Sequence, residues 1–251
     1  MKKRVYLVGF VALLCLSACG AKEKSVATPP VTETSTEASS QSATGAIDFQ
    51  KLAEAQPLTI QTKKEQAKLY SATNGVVKTV GLGDSAEEEV SYRLYQVPEV
   101  WQLDHVNQET RPTDYTYRAL EGGLTFGVQL YTLDAYLTSP LSGGEVMKKD
   151  ELAQRLKADG QHFIQETSIS IGDQEWKVGY EEKPENNVAK ITFYRLEDTG
   201  NFDDSLIVGA VIYPLSVTKS NHEEAVTTTV SQLKTILQQV AGERETETIK
   251  P

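Results

Sequence analysis

Beyond residue 19 the chain has no cysteine, since Cys15 and Cys19 are the only two in 251 residues. The body is thereby excluded from disulfide, thiol-nucleophile and cysteine-bound metal chemistry. Histidine is nearly as scarce. His105, His162 and His222 lie 57 and 60 residues apart, with no HxH or HxxxH element to frame a metal site. Positive charge is in deficit, with 25 Lys and Arg against 35 Asp and Glu and a net charge of −10. Residues 1–18 hold three cations and no acid, so the chain without them stands at −13. Phosphate backbones need clustered cations, so nucleic acid is excluded as a partner. No GxxxxGK phosphate loop and no GxGxxG turn is present, and the sequence calls for no cofactor and no metal. No apolar run approaches the roughly 20 residues that cross a bilayer.

What is present begins at the front. Lys2-Lys3-Arg4 precedes Val5–Leu16, an apolar stretch of 12 residues interrupted only by Gly9. That is the size of a secretory signal. Leu16-Ser17-Ala18-Cys19-Gly20 follows. This set resembles the lipobox of bacterial lipoproteins: Leu, two small residues, then Cys. The resemblance implies a diacylglyceryl group on the Cys19 thiol and cleavage just before it, with residues 1–18 discarded. Each buried methylene contributes about 0.8 kcal/mol, and a second acyl chain turns marginal attachment into a durable one. The expected setting is the extracytoplasmic face of the cell membrane. An ordinary signal peptide with a chance cysteine is the competing reading.

Residues 19–46 then form the lipidated end and a tether. Ten of the 26 residues from 21 to 46 are Ser or Thr and none is aromatic. Such a stretch buries too little apolar surface to offset its ordering entropy. Its r.m.s. span is roughly 28 Å. The Ser/Thr-rich tether and short signal suit a Gram-positive source.

Residues 47–87 admit more than one reading. Asp48–Ala55 fits a short helix ended before Pro57, Leu58–Gln61 fits a strand, and Asn74-Gly75 marks a turn between 67–73 and 76–80. From residue 88 a period of two persists. Val90, Tyr92 and Leu94 alternate with Ser91 and Arg93. Strands are expected at 100–106 and 115–120, with a turn at Gly122-Gly123. Phe126, Val128 and Leu130 then share a face with Leu124. Trp176, Val178 and Tyr180 lead through a turn at 184–187 to Ala189, Ile191 and Phe193. Leu206–Tyr213 is continuously apolar, as a central strand buried on both faces would be.

Two segments change to helical spacing. Asp150–Asp159 carries Leu152 and Leu156 four apart and ends at Gly160. Ser220 and Glu223 fit a capping box opening a long helix whose stripe is Val226, Val230, Leu233, Ile236, Leu237 and Val240. Residues 243–251 read as a polar, frayed tail. Short turns favour antiparallel pairing. The expected fold class is α+β, an antiparallel sheet flanked by helices, with a long C-terminal helix and one core over 88–242.

Tyr95-Gln96-Val97-Pro98-Glu99-Val100-Trp101 resembles the strand and VPxxW opening of PsbP-like and LpqN-type domains, with Val100 where that family often has Gly. The later order of Gly-Gly hairpin, helix, meander and C-terminal helix is similar over 88–242. The resemblance implies an antiparallel sheet between helices and a mostly non-enzymatic binding or assembly module. It carries over no catalytic residue.

Gly83-Asp84-Ser85 resembles the opening of SGNH hydrolases, and Asp159-Gly160-Gln161-His162 has that family's DxxH spacing. The G-x-N-D block that donates to the oxyanion is missing, so a turn and a helix stop fit better. Asp203-Asp204 precedes the apolar strand without a third ligand at calcium-loop spacing and reads as a solvated turn.

Eight aromatic residues fall between Tyr92 and Tyr136. Alternation does not place all of them inside. Tyr95, Trp101, Tyr115 and Tyr131 are therefore the candidate binding residues, beside a flap at 138–145. The competing reading is that they line the second face of the sheet beneath a helix. The leading expectation is a membrane-anchored, non-enzymatic envelope lipoprotein that binds a protein or a small ligand. A cell-envelope hydrolase and a passive envelope protein are the alternatives.

Overall fold

A computed structural model gives the fold and describes residues 47–71, 76–80, 87–107, 114–134, 163–197, 205–217 and 222–249, with positions 154 and 156. All of them fall within the unit Ser42–Pro251. The expected signal, lipobox and tether fall on residues 1–46, outside the described residues.

Helix α1 (Phe49–Glu54) opens the fold as expected. The Asp48 side chain accepts from the amides of Gln50 and Lys51 at 2.9 and 3.4 Å, satisfying two donors of the first turn. Phe49, Leu52 and Ala53 are buried in the main core. Residues 47–71 are therefore part of the domain rather than an extension of it. The expected strand at 58–61 does not form. Thr235 takes up the backbone there, with Leu58 N–H donating to its hydroxyl at 3.1 Å and the hydroxyl donating back to Leu58 C=O at 2.7 Å.

Strands β1 (Thr62–Tyr70) and β2 (Val76–Val80) both pair antiparallel with β3 (Glu87–Pro98). They do not pair with each other, as a turn at Asn74-Gly75 would require; those two residues lie outside the described set. A two-residue turn leads from β3 to β4 (Trp101–Val106). This strand begins a seven-stranded sheet with β5 (Asp114–Glu121), β6 (Leu124–Asp134), β7 (Gln165–Ile171), β8 (Gln174–Lys183), β9 (Val188–Glu197) and β10 (Ser205–Pro214). Its order is β4-β5-β6-β10-β9-β8-β7, antiparallel throughout. β10 is the middle strand, and its residues 206–211 are buried on both faces as their apolar run foretold. Gly122 and Gly123 turn the β5–β6 hairpin with φ of 55° and 79°.

Helix α2 (Glu223–Val240) lies against β3, β5, β6, β7 and β10. Its whole expected stripe is buried, each such side chain contributing about 1.5–3 kcal/mol. It starts at Glu223 after His222 in the left-handed conformation (φ 55°), so Glu223 is its first residue and not the third that the expected box needs, while Ser220 lies outside the described residues. Glu223 and Glu224 instead place carboxylates on the positive end.

The frayed tail is corrected too. Residues 245–249 form β11 (Glu245–Ile249), paired with β3 from Tyr92 to Glu88. The fold is thus mainly antiparallel sheet with few helices, richer in strand than expected. Of the helix expected at 150–159, positions 154 and 156 are described, both helical, with Leu156 buried. Leu156 belongs to a second cluster on the opposite sheet face, with Tyr194, Leu206 and Val208. Phe163 joins it, stacked 5.9 Å from Tyr194 at 11°. A Cβ at Gly179 would lie 2.3 Å from the Phe163 ring, which is why that strand position has no side chain.

Candidate functional site

The aromatic residues expected on a surface are mostly core. Trp101 and Tyr95 are 1% exposed and Tyr115 is 8% exposed. β3 leaves the small sheet and β4 enters the large one, so Tyr95 and Trp101 are carried between the two layers. The rings of Tyr95 and Tyr115 meet edge-on at 6.2 Å, and Trp101 lies 5.8 Å from Tyr117. Their polar ends are satisfied inside. Tyr115 OH donates to Lys68 C=O at 2.6 Å, and Trp101 Nε1–H donates to Gln232 Oε1 at 3.0 Å. Burial pushes the hydroxyls of Tyr95 and Tyr115 above the ordinary range. Tyr131 is half-buried on the other face of the large sheet, against the second cluster. The four residues do not form one site, and the correction follows from two sheets sharing one core.

Cys19, Gly83-Asp84-Ser85, the flap at 138–145, His162 and Asp203-Asp204 lie outside the described residues. His105 is exposed on β4, and His222 is exposed at the start of α2. Among the described residues, no three His, Asp or Glu side chains come together to hold a metal. Among them too, no helix is long and apolar enough to cross a membrane.

Three polar arrangements emerge that the linear pattern did not reveal. The first is Lys234, 3% exposed on α2. Its ammonium donates to Ala53 C=O and, at 2.6 Å, to Ala55 C=O, capping the end of α1. Burial pushes it down to about 8, against the opposing pull of Glu54. It borders a cavity of about 280 Å³ lined by residues 53–57 and 168–170.

The second is a carboxylate held by two arginines. Glu197 accepts from Arg93 and, at 2.6 Å, from Arg244, while Arg93 Nε–H donates to Gly242 C=O at 3.0 Å. Burial alone would raise the Glu197 carboxyl; Arg93 and Arg244 outweigh it and hold the carboxyl below its usual range. This cluster joins the residues after α2 to the end of β9 and to β3.

The third is a fork in the large sheet. Pairing of β8 with β9 stops at Lys177 opposite Tyr194. β8 continues against β7 to Gln174, and β9 continues against β10 to Glu197. The strands thus separate around a cavity of about 390 Å³, lined by Gln174, Glu175, Lys177, Tyr194, Arg195, Leu196 and Leu206.

No protein-family model and no curated protein sequence matches the chain. Two solved structures resemble it, a Mog1 point mutant and the Ran-binding protein Mog1p of Saccharomyces cerevisiae. Each is 15% identical with a TM-score of 0.35, over 67% of this chain and 94% of that chain.

Proposed function

We propose that this protein is a membrane-anchored lipoprotein whose folded domain works outside the cytoplasm as a non-enzymatic binding module. One observation carries the reading: Leu16-Ser17-Ala18-Cys19-Gly20 stands directly after a charged start and an apolar run of 12 residues. Cysteine is needed at that position because only a thiol takes the diacylglyceryl group. The Ser/Thr-rich stretch to residue 46 then spaces the domain about 28 Å from the headgroups. The domain would bind through a surface other than Tyr95, Trp101 and Tyr115, which the core occupies.

Replacing Cys19 by Ala tests it in the source cell type or a bacterial host. The expected result is release to the soluble fraction, or accumulation of unprocessed chain, with mass spectrometry of the native protein showing an acylated Cys19 at the mature end. Normal processing and membrane retention of the Cys19→Ala chain, or an unacylated mature end at another residue, would overturn the proposal.

A further inference from the structure

One end of the large sheet holds an excess of positive charge. Arg195 and Glu197 are two residues apart on β9, so their side chains leave the same face. It is the main-core face, because Arg195 stands opposite Ile207, a member of that core. Glu197 gives its two oxygens to Arg93 and Arg244. Among the described residues no carboxylate pairs with Arg195. Three guanidiniums thus gather around one carboxylate and leave two positive charges uncompensated, in a chain whose net charge is −10. They act on one another. Burial lowers the Arg93 guanidinium below its usual range, and Arg244 and Arg195 push it the same way against Glu197.

Arg195 also lacks a hydrogen bond. Its Nη1 is buried without a partner, and among the described residues Trp176 Nε1 is the other side-chain nitrogen in that state. Trp176 lies in the main core, at the position that would oppose Arg195 had β8 and β9 stayed paired beyond Lys177 and Tyr194. The two orphaned donors therefore occupy one face, one strand apart. Burying an N–H without an acceptor costs about 1–3 kcal/mol, and more for a charged group. Elsewhere in this core the polar ends of Tyr95, Trp101 and Tyr115 are all partnered. Arg195 therefore calls for an acceptor that carries negative charge and comes from outside the chain.

The cluster restricts what that acceptor is. Two uncompensated charges match a dianion. The guanidiniums come from β3, β9 and the segment after α2, which suits the several oxygens of a tetrahedral anion over the two of a planar carboxylate. The acidity of the rest of the chain repels a polyanion, so the ligand offers one such group. Entry is from the side of Arg195 and Arg244, which are half-buried, whereas Arg93 is 4% exposed.

We propose that Arg195, with Arg244 and Arg93 beside it, binds a single phosphate group, as the free dianion or as a phosphomonoester. The site deepens the binding-module reading and rests on it for its setting. It is read by ligand affinity, which does not depend on acylation of Cys19, so either fails alone.

The test uses the full chain in a neutral detergent, with calorimetry at low ionic strength. Inorganic phosphate, glycerol 3-phosphate and dihexanoyl phosphatidic acid are titrated at about pH 8, where the phosphate group is largely doubly charged. The expected result is saturable binding, with acetate much weaker. Tightest binding of phosphate assigns the free ion, of glycerol 3-phosphate a soluble ester, and of the acylated probe a lipid headgroup; each supports the site. Arg195→Met weakens binding roughly 10- to 100-fold, the loss of one charge-assisted pair. The same variant has no orphaned guanidinium and less repulsion on Arg93, so without ligand it melts no lower than the native chain. Arg118→Gln, at an exposed cation of β5 paired with Asp104, leaves binding unchanged. Absence of saturation with all three probes, undiminished affinity in Arg195→Met, equal weakening by Arg118→Gln, or acetate bound as tightly would each overturn the assignment. An Arg195→Met chain that melts lower without ligand would show that Arg195 has its partner within the fold, and would overturn it too.

Discussion

The hydroxyls of Tyr95 and Tyr117 lie 2.6 Å apart, one on β3 of the small sheet and the other on β5 of the large one. Their bond crosses the interior between the layers and gives each phenol its partner. This contact, with Trp101 beside it, makes the aromatic run of β3 to β5 a seam between the sheets.

Removing one half of that contact strands the other. Tyr117→Phe is expected to cost about 1–3 kcal/mol of stability, and Tyr95→Phe a similar amount. The double variant should lose less than the two together, since no hydroxyl is then left unpaired. Urea unfolding of the three chains checks this. Fully additive losses would show that the two groups do not depend on each other.

Lys234 makes stability depend on alkaline pH. Its ordinary value is 10.5 when unfolded and about 8 when folded. Between those values the unfolded chain binds more protons, so folding gains as pH rises from 8 to 10.5, by up to about 3 kcal/mol. The neutral amine still has two N–H groups for the carbonyls of Ala53 and Ala55. The stability difference between the native chain and Lys234→Met, measured across that range, should widen with pH. A difference that stays flat would contradict it.

Glu197 sets the acid side. Its folded value is held below the ordinary 4.5 by Arg93 and Arg244. The stabilisation is complete above pH 4.5 and disappears as pH falls through the lower folded value. Glu197→Gln should cost about 3–5 kcal/mol at neutral pH, because Arg93 is left buried at 4% exposure without its carboxylate. Thermal unfolding at pH 7 and pH 3 should show that cost shrinking in acid. An equal cost at both pH values would place the effect in packing instead.

Ending the chain after Gly242 removes Arg244 and the whole of β11. Lys68 and Tyr70 then lose Glu247, and Tyr92 loses Glu245. Hydrogen exchange should report faster exchange at the amides of residues 88–92, with exchange across β10 nearly unchanged. Unaltered protection at 88–92 would mean that β3 does not need this edge.

Several elements were legible because local pattern and environment agree. β10 reads as central because no polar residue interrupts 206–213, and it is the middle strand of seven. The stripe of α2 and the β5–β6 hairpin are likewise local. β3 misled because it has structure on both faces: Ser91 and Arg93 are as buried as Val90 and Tyr92, whereas Leu94 is only half-buried. The sequence ETETI of β11 has no apolar alternation to read, and its stability comes from partners about 150 residues earlier. The fork was invisible for a related reason. Trp176 and Arg195 lie on strands that each read correctly, and only the register between those strands shows where pairing stops.

That distant partnership of β11 has a consequence in time. Among the described strands β11 is made after all the others, so residues 88–92 wait through the synthesis of the large sheet and α2 before gaining this neighbour. Contacts closed over such a separation slow folding. The small sheet is therefore the later of the two to close, with residues 88–92 holding an unfilled edge while every strand of the large sheet is already available to pair.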